Sequence, residues 1–211
     1  MDGAAARRRT RQGPGEGASG GRRSRARGVP EGVVAGVAEG AGGDALRIAQ
    51  YNAWANRRVF AHLRSLPSGT VEREISSVFP SVLEALRHVV VADLLLLDVM
   101  SGRSPEEMTA RIPQVRGAVA SADLGELESR FEDLAGRYNE LLAEDGAAER
   151  PVVVAHPLGR LQTTVAELHR HVCNHDTYHR GNISAMLHQL GHRGVSTDYA
   201  LFLMETRGTA R

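Results

Sequence analysis

Past Gly43 the chain settles into apolar residues at three- and four-residue steps. Leu46, Ile48, Ala53, Val59, Phe60 and Leu63 recur at roughly helical spacing from Asp44 to Leu66, and Pro67 and Gly69 end the run. SVLEALRHVVVADLLLLDVM (81–100) is apolar on most faces and predicts the most buried helix. A long connection follows over about 102–120, broken by Pro105 and Pro113. Leu124, Leu127, Phe131, Leu134, Tyr138 and Leu141 predict a helix from Asp123 to Glu144, with Asp123 and Glu126 as its capping pair. Residues 151–163 hold Val152, Val153 and Val154, then His156, Pro157 and Gly159, which predicts a short extended turn region and not a sheet. Thr164 and Glu167 fit a capping box, so a last helix should run from Val165 to Leu190 and stop at Gly191. No internal repeat is visible. Four helices with loops of mixed length predict an all-α, up-down four-helix bundle over residues 44–207.

The first 43 residues are a different material. Their opening stretch, MDGAAARRRTRQGPGEGASGGRRSRARG, carries eight Arg against Asp2 and Glu16, is rich in Gly and has almost no large apolar side chains. It cannot bury enough surface to offset its ordering entropy, so a disordered, basic N-terminal tail is expected. An unselected extension is the plain reading, and a basic arm on nucleic acid the functional one. The Arg pairs suggest an export signal, but VVAGVAEGAGG is short, broken by Gly and interrupted by Glu39.

The whole chain has a net charge of +1, which gives no bias toward polyanions. Aromatics make up 4%, so the core must be built mainly from Leu, Val and Ala. Cys173 is the lone cysteine, which excludes an internal disulfide and points to a reducing, cytoplasmic setting. No apolar run approaches a membrane span, so a soluble protein is expected.

The chemistry concentrates in CNHDTYHRGN (173–182). At about 100° per residue, His171, His175 and His179 share one stripe of the last helix, whereas Cys173 and His188 face away and His192 lies past Gly191. An i, i+4 pair of imidazoles can converge on one ion. His171 and His179 stand about 12 Å apart along the axis, so only one pair can bind and a third ligand must come from elsewhere. His88, inside the most apolar helix, is the candidate. A metal shared with the last helix would partner one ring nitrogen, and a hydrogen bond to a carboxylate or backbone group is the plainer alternative.

HDTYH has the outline of the His-Glu-x-x-His of zinc proteases, with Asp176 in the Glu position. Asp is one carbon shorter, no further His follows at the metzincin spacing, and little chain remains for a substrate-binding half. Asp176 reads more simply as a solvated charge or as a partner orienting a ligand.

The stretch HVCNHDTYHRGNISAMLHQLG resembles the C-terminal signature of the DinB family of four-helix bundles, where Asn-His is followed after three residues by His-Arg-Gly-Gln. Here Asn174-His175 and His179-Arg180-Gly181 match, and Asn182 replaces the usual Gln. YNAWANRRV (51–59) is similar to the family's first-helix motif, and SVLEALRHVVVADLLLL resembles its second helix. The resemblance covers about residues 44–207. It implies His88, His175 and His179 as metal ligands, with His171 in the lining or behind a ligand. Leu96 departs from the family's frequent aromatic, and with Asn182 reshapes the pocket.

The resemblance further implies a divalent ion, zinc by default, with nickel, manganese or iron(II) fitting the same ligands. It implies a hydrolase or a thiol-dependent transferase acting on a small molecule, with a low-molecular-weight thiol as partner, in a homodimer. The alternative is a non-catalytic metal-binding stress protein that works through partners. Asp93 and Asp176 are the candidates for a general base. Tyr51, Asn52, Trp54, Asn56 and Arg57 are candidates for the pocket mouth, and Arg180 for orienting the helix pair, an anion contact or a surface salt bridge.

Overall fold

A computed structural model describes residues 40–207 apart from Pro157. Of the expected disordered tail over residues 1–43, with its basic-arm and export-signal readings, residues 1–39 lie outside the described residues, and residues 41–43 are helical, which moves the boundary of the folded part back from residue 44.

Helix α1 spans Ala41–Arg64, so residues 41–43 already belong to it. Asp44 lies in its first turn and His62 and Arg64 in its last, each complementing the helix dipole. Helix α2 spans Val82–Met100, capped by the Ser81 hydroxyl, which accepts the Glu84 N–H at 3.2 Å. Its buried residues include Val82, Leu86, Val90, Leu97 and Met100, as its apolar texture predicts.

The expected long connection contains a helix, α3 (Pro105–Val119). The reason is local and tertiary together. Ser104 and Glu107 form a reciprocal capping box with Pro105 at the first helical position, where a missing N–H does no harm. Pro113 sits inside the helix, and the burial of Met108, Val115 and Val119 outweighs its lost hydrogen bond. Helix α4 spans Leu124–Ala143 behind the Asp123/Glu126 capping box.

The 151–163 region is also a correction. Strands β1 (Pro151–His156) and β2 (Gly159–Thr164) pair antiparallel, Val152 opposite Thr163 and Val154 opposite Leu161. A lone two-stranded hairpin is marginal in water. This one is held because Val152, Val154 and Ala155 pack on the core formed by α2, α3 and α5. Helix α5 (Val165–Gln189) follows directly, with the Thr164 hydroxyl accepting the Glu167 N–H at 3.3 Å. It stops at Gly191, whose φ of 84° is a left-handed value that a side chain disfavours. A last helix, α6 (Tyr199–Arg207), was not expected; its Phe202 packs on Tyr51 and Trp54.

Helices α1, α2, α4 and α5 make the four-helix bundle, with α1 and α2 each packed on both α4 and α5. Asn52–Asp176 and Asn56–Arg180 contacts show α1 and α5 parallel, whereas Arg57–Glu132 and Arg64–Glu128 show α1 and α4 antiparallel. Helix α3 returns the chain along α2, so α4 runs in the same direction as α2. One half of the core gathers Phe60, Leu86, Val90, Leu127 and Met186, and the other Leu97, Met100, Leu134, Val165 and Val172. The histidines of α2 and α5 meet on the flank where those two antiparallel helices pack. No helix among the described residues is long and apolar enough to cross a membrane.

Candidate metal centre

His88 of α2 meets His175 and His179 of α5, with one nitrogen from each ring within 4.8 Å of the others. The His175 and His179 Nε2 atoms stand 3.1 Å apart. Two nitrogens each about 2.05 Å from one ion would stand about 2.9 Å apart at a right angle and about 3.3 Å at the tetrahedral angle. The observed spacing lies between, so the pair fits a divalent ion without rearrangement of α5. Ring centroids are 5.4 Å from His88 to His175 and 4.8 Å from His88 to His179. His171 stands outside this trio, its ring 6.2 Å from that of His175. The choice between the two i, i+4 pairs therefore falls on His175 and His179.

His88 is exposed, although its helix is the most buried of the bundle. It occupies the one face of α2 that opens to solvent beside α5. Phe79 packs beside it and beside His179, at 5.1 and 5.4 Å between centroids, and the exposed Tyr178 ring lies 5.1 Å from His179. All three imidazoles are kept neutral. Burial and then the neighbouring His179, His88 and His171 hold His175 down to about 4. Burial and Arg116 lower His88, and burial and His88 lower His179. Neutral imidazole is the form that ligates, so little proton release stands against metal binding near pH 7.

Beneath the histidines lies a buried polar network. Asp176 is 1% exposed, which excludes the solvated-charge reading. Its Oδ2 accepts from Asn52 Nδ2 at 2.6 Å and Asn56 Nδ2 at 3.1 Å, with Arg180 Nη1 at 4.0 Å. Arg180 is also buried and donates to Asn52 Oδ1, Asn56 Oδ1 and Thr177 Oγ1 at 2.7–2.8 Å. It is neither an anion site nor a surface salt bridge. Asp93, 2% exposed, shares this ground with Asp176 and His175. Burial and the Asp176 carboxylate push the Asp93 pKa well up, so Asp93 holds the proton. Burial raises the Asp176 pKa too, but Asn52, Arg180 and Asn56 oppose that rise, so of the two carboxyls Asp176 is the one that carries the negative charge. Neither carboxyl is therefore a free general base.

Of the proposed pocket-mouth residues, Asn52 and Asn56 belong to this network. Tyr51 and Trp54 pack with Phe202 on the α6 side, and Arg57 pairs with Glu132 at the surface. Cys173, which the helical wheel turns away from the histidine stripe, is buried near the Ile48 carbonyl and His169.

The sequence reading missed His169. It is 1% exposed, edge-on to Tyr138 at 5.0 Å, and burial lowers its pKa to about 4 from the ordinary 6.5. Its place two residues before His171, on the apolar side of the α5 wheel, was the available signal. The folded state keeps His169 neutral down to about 4, whereas the unfolded chain takes up the proton from about 6.5. Between those values the unfolded state binds more protons, so this contribution to stability falls as the pH falls. Urea unfolding of His169→Leu against wild type should therefore shift in the variant's favour by roughly 3 kcal/mol from pH 7 to pH 4. A pH-independent difference would mean that His169 is not held neutral.

A bundle that gathers three neutral imidazoles from two helices defines a small helical protein with a candidate three-histidine metal site. Residues 42–209 match the DinB family. Protein DinB of Bacillus subtilis (strain 168) is 39% identical over 164 residues, which is 77% of this chain and 95% of the relative. The chain belongs to the DinB family.

Proposed function

We propose that this protein is a divalent-metal-dependent enzyme of the hydrolase or thiol-dependent transferase type. The observation that carries the reading is the convergence of His88, His175 and His179, all neutral, on a flank open to solvent. A divalent ion held there, zinc or else nickel, manganese or iron(II), supplies Lewis-acid chemistry to a substrate oxygen or sulfur. The side chains do the rest. His88 ties α2 to α5 across the site. Phe79 and Tyr178 shape its rim. The Asp176–Arg180 network anchors α5 to α1 and holds the His175–His179 turn in place. With Asp93 protonated and Asp176 buried with its Oδ2 held by the Asn52 and Asn56 amides, a thiol substrate would bring its own nucleophile, which favours transfer over base-dependent hydrolysis.

The second reading, a non-catalytic metal-binding stress protein, is less well supported. A groove of about 480 Å³ opens beside His171, next to the cluster, and offers room for a substrate. A cytoplasmic homodimer using a low-molecular-weight thiol belongs to the same proposal. The test is to load full-length protein with zinc, nickel or manganese, measure metal content by mass spectrometry, and screen thiol transfer and ester or amide hydrolysis with and without chelator. Metal-dependent turnover of a thiol substrate is the expected result. Failure to take up any of the three ions would sink the metalloenzyme reading, and uptake without turnover across both reaction classes would favour the binding protein.

A further inference from the structure

The groove beside His171 is lined by Leu96 of α2, Val154 and Leu161 of the hairpin, and Leu168 and His171 of α5, with Thr163 and Glu167 at one side. Its lining is mostly apolar, and it has the volume of a small-molecule site rather than a protein interface. Leu161 is 54% exposed on the hairpin, an apolar side chain left facing this space. The Thr163 hydroxyl is already bonded to Glu167 at 2.7 Å, so it makes no strong demand for a polar partner.

The groove adjoins the histidine cluster at His171, and the two helices that wall it are the two that carry the cluster. On α5, His179, His175 and His171 follow one another at four-residue steps, and His171 is at once a groove wall and the ring neighbour of His175. On α2, Leu96 lies two four-residue steps beyond His88, about 12 Å along the axis. The crease between α2 and α5 therefore carries imidazoles at one end and leucines at the other.

We propose that this crease binds an amphipathic small molecule, with an oxygen or sulfur head at the histidine cluster and an aliphatic chain or ring lying in the groove. The assignment rests on the metal-centre reading above and adds the substrate's chemical class. A head group alone would leave the groove wet and Leu161 uncovered. A wholly apolar ligand would have no use for the histidines beside it.

Straight-chain hydroxamates test this, because each joins a metal-ligating head to a tail of chosen length. Full-length protein is loaded with zinc, its metal content is measured, and aceto-, butano-, hexano- and octanohydroxamate are titrated by calorimetry. Affinity should rise by roughly twofold to fourfold per methylene until the groove is filled. Leu96→Glu should flatten the series. Leu161→Glu, on the exposed hairpin where the bundle core is untouched, should flatten it too. Acetohydroxamate, which has no tail, should bind wild type and both variants alike. If zinc loads and acetohydroxamate binds but tail length has no effect, the groove assignment is overturned and the metal reading stands. A length dependence that both variants leave intact places the tail elsewhere and also overturns it. Dissociation of a dimer by Leu161→Glu with the series unchanged would give the groove to a second copy of the chain. If no zinc is taken up, the metal reading fails and this inference fails with it.

Discussion

His175→Ala and His88→Ala should each strip the protein of metal, while His171→Ala should keep it. Wild type loaded with zinc and then desalted is expected to carry about one ion per chain, and the first two variants almost none. The reasoning is geometric. His175 and His179 present nitrogens 3.1 Å apart, and His88 closes the set from another helix. Loss of either His175 or His88 leaves two ligands, and loss of His88 also removes the one ligand of the trio that α2 supplies. His171 shares the helical stripe but lies one step along it, in the groove wall. Its removal alters the groove and leaves the three nitrogens where they are. Thermal unfolding provides a second readout. An ion bound only by the folded state, at a thousandfold excess over its Kd, stabilises by about 4 kcal/mol. Zinc should therefore raise the Tm of wild type and His171→Ala and leave that of His175→Ala and His88→Ala unchanged. Metal retained by His88→Ala but lost from His171→Ala would assign the site to the other histidine pair.

Arg180→Leu is expected to be the most destabilising single change outside the apolar core, by about 3–5 kcal/mol in urea unfolding. The guanidinium is 7% exposed, satisfies the Asn52 and Asn56 carbonyls and Thr177, and faces the Asp176 carboxylate and the Tyr51 ring. Its removal leaves a buried negative charge with only amide donors, and the Asn52 and Asn56 side-chain carbonyls without this donor. Arg57→Ala is the control. That side chain is 59% exposed and pairs with Glu132 on the surface, so its loss should change stability by less than about 1 kcal/mol. Combining Arg180→Leu with Asp176→Asn should be milder than the sum of the two, because the second change removes the charge that the first leaves unpaired. Strict additivity would mean that the two groups do not act as a unit.

These residues also mark where the sequence could and could not be read. The helices of the bundle were legible because each rests on local chemistry: Ser81, Asp123 and Thr164 cap their own helices, Gly191 ends α5, and the apolar spacing of α2 needs no partner to be recognised. The imidazole stripe of α5 was legible for the same reason, since helical period alone places His171, His175 and His179 on one face. The hairpin and α3 were not. Val152–Ala155 becomes a strand only because α2 and α3 stand ready to cover it, and Pro113 is tolerated in a helix whose Met108 and Val115 are buried against the bundle. For Asp176 and Arg180 the sequence leaves surface and buried roles open, and only the parallel packing of α1 against α5 buries them together.

The sequence by itself therefore determined the four bundle helices, their ends, and a line of three histidines with a fourth on another apolar helix. The tertiary structure decided which three of those four histidines meet, that His88 faces outward from a buried helix, that Asp93 holds a proton, and that a groove adjoins His171. The physical reason is one of range. Helical period, capping and turn chemistry act within a few residues of chain. Which side chains share an ion, a proton or a cavity depends on how α2 and α5 cross, and packing across the whole core sets that crossing.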